Sequence, residues 1–122
     1  MPEDHKKQQI GKESEQQACR FLENKGLHLL TQNYRCHNGE IDLIMQDGED
    51  VVFVEVRTRN NADFGDALDS VNRTKQRKIF KTATHYLIKQ NWFDKVNCRF
   101  DVIGITKNQV EWIKNAFSTE TF

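Results

Sequence analysis

The sequence predicts a single α/β domain in which a small mixed β-sheet is flanked by helices. Two segments carry apolar residues at helical spacing, and five short segments are rich in branched and aromatic residues typical of strands. The length of 122 residues suits one compact core. The predicted order of elements is α-β-β-β-α-β-β, a small mixed sheet with flanking helices.

Helical periodicity predicts the two helices. In residues 12–25 the apolar side chains Ala18, Phe21 and Leu22 share one face, and Gly26 supplies a stop signal. In residues 74–90 the shared apolar face consists of Ile79, Ala83, Tyr86 and Leu87.

The strands are predicted between and after these helices. Residues 27–34 form the first strand, and a hairpin between Gly39 and Arg59 supplies the second and third. Residues 98–105 and 110–113 form the last two, with a loop predicted at residues 60–70. We therefore expect a domain at residues 10–117, a flexible N-terminus at residues 1–9 and a C-terminal tail at residues 118–122.

Both strands of the hairpin are interrupted by a carboxylate, Asp42 in one and Glu55 in the other. Burying an unpaired carboxylate costs several kcal/mol, roughly, so each needs a compensating partner. If residues 47–50 form a four-residue loop, Gln46 pairs with Val51 and Asp42 lies opposite Glu55. Arg57 then shares the face of Glu55.

Two facing carboxylates repel each other unless a cation lies between them, and hard oxygen ligands suit Mg²⁺ or Mn²⁺ rather than zinc. A metal site is one interpretation of Asp42 and Glu55. The alternative is an ordinary hairpin with solvated acids, in which Glu55 and Arg57 form a surface ion pair worth at most about 1 kcal/mol. Glu15 shares the apolar side of the first helix, where it either has a partner or reaches water.

The total charge is zero, with 18 basic and 18 acidic residues, but the charges are segregated. The segment 40–56 has six acids and no Lys or Arg, whereas 72–91 has six bases and no acid. The basic residues predict either a solvated helix face or a nucleic-acid-binding patch, for which the candidates are Arg59, Arg73, Lys75, Arg77, Lys78 and Lys81.

The composition also indicates where the protein works. No apolar segment approaches the roughly 18 residues needed to span a bilayer, so we expect no membrane association. The three cysteines are odd in number and widely spaced, which favours reduced thiols and a cytoplasmic location.

Several motifs together resemble those of the YraN family. They cover residues 10–117 and include Glu15 with Ala18, Gly39-Glu40-Ile41-Asp42-Leu43-Ile44, Val52-Phe53-Val54-Glu55-Val56-Arg57, Phe64-Gly65, Arg99-Phe100-Asp101-Val102-Ile103 and Asn115-Ala116-Phe117. The YraN family is similar to the restriction-endonuclease-like PD-(D/E)xK superfamily, near archaeal Holliday junction resolvases.

The resemblance implies a catalytic site of Asp42, Glu55 and Arg57. It also implies one or two Mg²⁺ or Mn²⁺ ions held by Glu15, Asp42, Glu55 and the carbonyl of Val56, which would activate water for phosphodiester hydrolysis. Arg57 stands where the superfamily usually has Lys. Its guanidinium can stabilise a phosphorane but, with a pKa above about 12, it is a poor base for water.

Three functional classes follow. The first is a Mg²⁺-dependent endonuclease acting on structured or branched DNA, in which resolvase-like activity implies a homodimer. The second is a nucleic-acid-binding module without cleavage. The third is a protein-interaction module in which the acids form ion pairs and Trp92, Phe93 or Trp112 provides a contact surface.

Overall fold

The computed structural model describes residues 2–58, 65–107 and 109–118, and the side chains among them except those of residues 2–10, 65 and 66. Helices and strands follow the predicted mixed order. In chain order they are α1 (Pro2–Asn24), β1 (His28–Cys36), β2 (Gly39–Asp47), β3 (Asp50–Thr58), α2 (Gly65–Asp69), α3 (Arg73–Lys89), β4 (Cys98–Ile105) and β5 (Val110–Phe117).

The predicted fold class is confirmed, and the differences are local. Helix α1 begins at Pro2, inside the segment expected to be a flexible N-terminus. The short helix α2 lies in the segment predicted as a loop, and β5 continues to Phe117 rather than ending at residue 113. Residues 59–64 of the predicted loop and 119–122 of the predicted tail lie outside the described residues.

The five strands form one sheet in the order β1-β2-β3-β4-β5. Strands β1, β2 and β3 pair antiparallel through short turns, and β4 pairs antiparallel with β5. Strands β3 and β4 are parallel, so the chain must cross from one end of the sheet to the other, and α3 lies in this crossover.

The predicted register of the β2–β3 hairpin is confirmed, because Gln46 pairs with Val51. The turn is shorter than expected, since Asp47 also pairs with Asp50 and leaves only Gly48 and Glu49 between the strands. Gly48 has φ of 62°, a conformation that glycine adopts without a steric penalty. Adding one pair at the end of the ladder leaves the facing residues unchanged.

The two faces of the sheet bury separate hydrophobic cores. On one face Ala18 and Leu22 of α1 pack with Val52, Val54 and Val56. On the other face α3 packs against Val51 and Phe53 through its predicted apolar residues Ile79, Ala83, Tyr86 and Leu87. Side chains alternate along a strand, so Glu55 and Arg57 lie on the α3 face of β3.

Both edge strands depart from regular pairing. In β1 the register shifts between Leu29 and Thr31, and Asn33 has φ of 52°. The β4–β5 register shifts between Phe100 and Val102, and Asn115 in β5 has φ of 50°. Such bulges bend a strand and interrupt its ladder.

Asp101 is fully buried in β4, where it joins the last two strands. Its carboxylate accepts hydrogen bonds from Trp112 Nε1 at 2.8 Å, Asn115 N at 2.9 Å and Arg99 Nε at 3.1 Å. Arg99 Nη2 also lies 2.9 Å from Asp47 Oδ2. This buried carboxylate is therefore fully engaged in holding β5 and the β2–β3 turn to β4.

Candidate functional site

Asp42 lies where β2 and β3 separate. The paired residues of this hairpin end at Leu43 and Val54, so Asp42 and Glu55 are the first residues beyond the ladder. In place of a further ladder bond, the backbone N–H of Val56 donates to Asp42 Oδ2 at 2.8 Å. The hairpin thus fixes the Asp42 carboxylate against the backbone of β3.

Glu55 is buried, with only 6% of its surface exposed. Arg57 Nη2 is 3.5 Å from Glu55 Oε2, a long contact on the shared face that the sequence predicted. Among the described residues, Glu55 Oε1 and Arg57 Nε are buried without a hydrogen-bond partner. Buried polar atoms are nearly always paired, with protein groups, water or ions, so this carboxylate oxygen retains an unused capacity to accept a bond.

Asp42 interacts electrostatically with both Glu15 and Glu55. Burial and then the charge of Asp42 raise the pKa of Glu55 to about 8. Burial also raises the pKa of Asp42, although the Val56 N–H and Arg57 oppose the change. The pKa of Glu15 is raised by burial and by Asp42. Each acid therefore resists ionising beside the others unless positive charge is added.

Helix α1 brings Glu15 to Asp42. Ser14 is buried next to it, and Thr58 Oγ1 donates a 2.7 Å hydrogen bond to Ser14 Oγ, which connects α1 to the end of β3. A cavity of about 430 Å³ opens here between α1, β1 and β2. We call it the acidic cleft, and it is lined by Gly11, Lys12, Glu15, Asn33, Arg35, Glu40 and Asp42.

The donor chemistry of this site fits Mg²⁺ or Mn²⁺, which one or two carboxylates hold while water and phosphate complete the coordination. Asp42 and Glu55 supply the carboxylates. Within the described part of the chain, no three His, Cys, Asp or Glu side chains are grouped closely enough to hold an ion by themselves. Glu15 lines the cleft next to Asp42, and Val56 donates its backbone N–H to Asp42.

The basic residues lie on the other face of the sheet. Arg73, Lys75, Arg77, Lys78 and Lys81 are all exposed on α3, and Lys75 Nζ donates to the Ser70 carbonyl at 3.0 Å. Arg59 lies outside the described residues. A Cβ at Gly39 would stand 3.7 Å from Lys78 Cβ, so α3 closely approaches the β1–β2 turn. The structure thus separates these cations from the acidic cleft by the thickness of the sheet.

Sequence reasoning missed the polar residues that line the cleft with Glu15 and Asp42. Arg35 and Glu40 are cross-strand partners, which a short β1–β2 turn would have predicted. Lys12 precedes Glu15 by three residues, a spacing that places both on one side of a helix. Asn33 offers no comparable signal, because its position depends on the bulge in β1.

The described helices are also too short or too polar for a transmembrane span. The surface is distinguished by two separate groups of charged side chains. The acidic cleft and the exposed cations of α3 lie on opposite faces at the end of the sheet that carries the β1–β2 turn.

Fold and site together define a class, a small α/β protein whose mixed sheet carries an acidic cleft beside a buried glutamate. The chain belongs to the family described as "Uncharacterised protein family UPF0102", whose model matches residues 14–105.

Relatives from three bacteria agree along most of the chain. A UPF0102 protein of Coxiella burnetii strain RSA 331 is 49% identical over 93% of this chain and 95% of its own. A UPF0102 protein of Legionella pneumophila strain Philadelphia 1 is 50% identical over 90% of this chain and 95% of its own. The UPF0102 protein YraN of Escherichia coli strain SMS-3-5 is 51% identical over 90% and 85%. The predicted YraN family membership is confirmed.

Proposed function

We propose that this protein is a nucleic-acid-binding protein of nuclease fold and a Mg²⁺-dependent endonuclease that hydrolyses phosphodiesters in structured or branched DNA. One observation carries the proposal. At the end of the hairpin Asp42 is fixed to the N–H of Val56, the residue after Glu55, and Glu55 Oε1 is buried with no partner among the described residues. A hard divalent cation would supply the missing partner and allow both acids to ionise.

Each residue of the site then has a role. Asp42 and Glu55 would hold the ion, together with Glu15 and the carbonyl of Val56. A bound Mg²⁺ or Mn²⁺ supplies Lewis-acid chemistry for attack on a phosphodiester. Arg57, which is only partly exposed and lies beside Glu55, stabilises negative charge on the phosphoryl oxygens but does not take a proton.

The cations of α3 hold the DNA backbone in this proposal. Arg73, Lys75, Arg77, Lys78 and Lys81 project from one helix into solvent, and Arg59 extends the set. Phosphate contacts of this kind position a duplex without reading its sequence. A cytoplasmic location and a symmetric dimer, which would match the paired cleavage sites of a four-way junction, belong to the same proposal.

A non-catalytic nucleic-acid-binding module is the second candidate. Two observations favour it: Arg57 replaces the usual Lys, and the described part of the chain groups no three acids into a ready metal cage. The protein-interaction module has less support, because Trp112 is already engaged within the fold. Its indole N–H donates a hydrogen bond to Asp101, and its ring packs against Phe21. Among its aromatic candidates Phe93 is 46% exposed.

Cleavage assays distinguish these functions. Purified protein is incubated with labelled duplex, single-stranded and four-way-junction DNA in Mg²⁺, Mn²⁺ or EDTA. We expect metal-dependent cleavage of the junction, lost in Asp42→Ala and in Glu55→Ala. Asp47→Ala is the matched control, because it removes a carboxylate of the same hairpin at the opposite end.

The alternatives give different results. Cleavage that survives both Asp42→Ala and Glu55→Ala would exclude the proposed site. Binding in all metal conditions without cleavage would identify the non-catalytic module. A wild-type protein that binds none of the three DNA substrates would instead support the protein-interaction module.

A further inference from the structure

Two cations face the carboxylates of the acidic cleft, Lys12 from α1 and Arg35 from β1. Neither belongs to the basic surface of α3, which lies on the opposite face of the sheet. Both are exposed, and they reach the cleft from different elements. Their position beside Asp42 raises the question of what they bind.

Lys12 shares one side of α1 with Glu15, three residues later. Its ammonium group forms no ion pair with any of the described side chains, although Glu15 lines the same cavity. A lysine recruited only to neutralise the cleft would be expected to contact one of its carboxylates. Lys12 instead leaves its three N–H donors available at the rim.

Arg35 makes one ion pair, from Nε to Glu40 Oε2 at 3.3 Å, and 75% of its side chain remains exposed. A guanidinium carries five N–H donors in a planar fork that suits bidentate binding of phosphate. Glu40 therefore orients Arg35 through Nε while the terminal nitrogens remain open to solvent. A surface ion pair alone would contribute at most about 1 kcal/mol, too little to account for this arrangement.

The charges of the cleft make its affinity for anions depend on metal. Lys12 and Arg35 face Glu15, Glu40 and Asp42, and Arg57 offsets Glu55 beside them, so three positive charges against four negative ones leave a single net negative charge when all are ionised. The empty cleft repels phosphate. Adding one divalent ion reverses the sign to a single net positive charge, which attracts the singly charged phosphodiester.

We propose that Lys12 and Arg35 bind backbone phosphates of DNA on the α1 side of the acidic cleft, next to the metal held by Asp42 and Glu55. This inference rests on the proposed function and adds to it a second phosphate-binding surface. The DNA then contacts both faces of the sheet around the β1–β2 turn, with α3 on one side and Lys12 and Arg35 on the other. A strongly bent or branched DNA fits such a surface better than a straight duplex.

The test measures DNA binding by the full chain through fluorescence anisotropy. Labelled duplex and four-way junction are titrated in Ca²⁺, an oxygen-seeking ion used here in place of Mg²⁺ to keep the substrate intact, and again in EDTA. In Ca²⁺ we expect Lys12→Ala and Arg35→Ala each to weaken junction binding about tenfold. The slope of log K against log salt should fall by about 0.9 for each phosphate that a variant no longer neutralises.

Control variants distinguish the effect of a residue's position from the effect of its charge. Lys12→Arg should retain most of the affinity, whereas Arg35→Lys keeps the charge but loses the planar fork and should retain only part of it. Lys95→Ala and Arg20→Ala remove the same charges elsewhere and should change binding less than twofold. Lys95 precedes β4, whose first residue pairs with Val51 next to the β2–β3 turn, at the opposite end of the sheet from the cleft. Thermal unfolding of every variant checks that the fold is intact.

The outcomes distinguish this inference from the proposed function. If the Lys12→Ala/Arg35→Ala double variant binds and cleaves DNA as the wild type does, the proposal of a second phosphate-binding surface is wrong. The proposed nuclease function is then unaffected. Equal losses of affinity in Ca²⁺ and EDTA would also overturn it, since phosphate binding by these two residues would not depend on metal. If the wild type binds no DNA in any condition, both proposals fail.

Discussion

Two buried carboxylates in neighbouring strands show how individual residues can be assigned a structural or a binding role. Asp101 is fully buried, but its oxygens accept bonds from Trp112, Asn115 and Arg99. Glu55 is almost as buried, yet one of its oxygens has no partner among the described residues. Satisfied acids hold structure together, whereas an unsatisfied one costs stability unless a ligand completes it.

The raised pKa of Glu55 predicts how stability depends on pH in EDTA. The folded protein holds this proton up to a pKa of about 8, whereas an unfolded Glu releases it near 4.5. Between these values the folded state binds more protons, so the free energy of unfolding falls as pH rises, by about 5 kcal/mol in total. Urea denaturation at pH 5, 7 and 9 measures this loss.

Glu55→Gln supplies the control for the pH dependence. The amide does not titrate, so most of the decline should disappear, and a smaller one should remain because the pKa values of Asp42 and Glu15 are raised too. An unchanged pH profile in Glu55→Gln would show that Glu55 ionises normally in the folded protein.

Asp101→Ala should be among the most destabilising substitutions at a single carboxylate. It leaves Arg99 and the Trp112 N–H without their buried acceptor, which typically costs about 3 to 5 kcal/mol. Asp47→Ala removes the other partner of Arg99, but Asp47 is 38% exposed and its loss should cost at most about 1 kcal/mol. Similar losses in urea denaturation for both variants would contradict this assignment.

At the scale of elements, the parts that sequence predicts are those governed by local periodicity. The register of the β2–β3 hairpin follows from the parity of its turn, and the buried face of α3 follows from helical spacing. Helix α2 was missed because five residues are too few to show a period. The second half of β5 was missed because Asn115 is held there by Asp101, a residue distant in sequence.

The same distinction applies to the candidate site. The shared face of Glu55 and Arg57 was predictable from alternation within one strand. The separation of the α3 cations from the acidic cleft was not, because it depends on which face of the sheet each helix covers. The metal-binding role of the acids and the phosphate-binding role of the cations remain predictions.

Helix α3 has a capping residue whose contribution can be measured. The side chain of Asn72 accepts a 3.0 Å hydrogen bond from the backbone N–H of Lys75 at the start of the helix. Asn72→Ala should cost about 1 kcal/mol in urea denaturation. Asn72→Asp keeps an acceptor oxygen and adds favourable charge near the helix dipole, so it should restore stability. Equal losses in the two variants would show that the cap bond contributes nothing.

At the scale of the whole molecule, a metal that binds only the folded state should raise the unfolding temperature. Mn²⁺ at 100 times its dissociation constant adds about 2.7 kcal/mol, or roughly 8 °C for a domain of this size. Calorimetric scans with Mn²⁺ and with EDTA measure the shift. Asp42→Ala and Glu55→Ala should abolish it, whereas Asp47→Ala should retain it.

A shift of equal size in Asp42→Ala and Glu55→Ala would mean that Mn²⁺ stabilises the protein at some other position. Metal-dependent cleavage in the DNA assays would then depend on a metal site other than Asp42 and Glu55. This control matters because the chain has 18 acidic residues, many of them able to attract a divalent cation weakly.

The bulged edges of the sheet have a consequence for self-association. An exposed edge strand normally offers a template on which another chain can add a strand. Here β1 shifts register between Leu29 and Thr31, and β5 shifts register around the left-handed residue Asn115, so each edge breaks the regular spacing of donors and acceptors. Two copies are therefore disfavoured from joining into one continuous sheet, so the proposed dimer would form through side-chain surfaces, and both edges resist amyloid-like stacking.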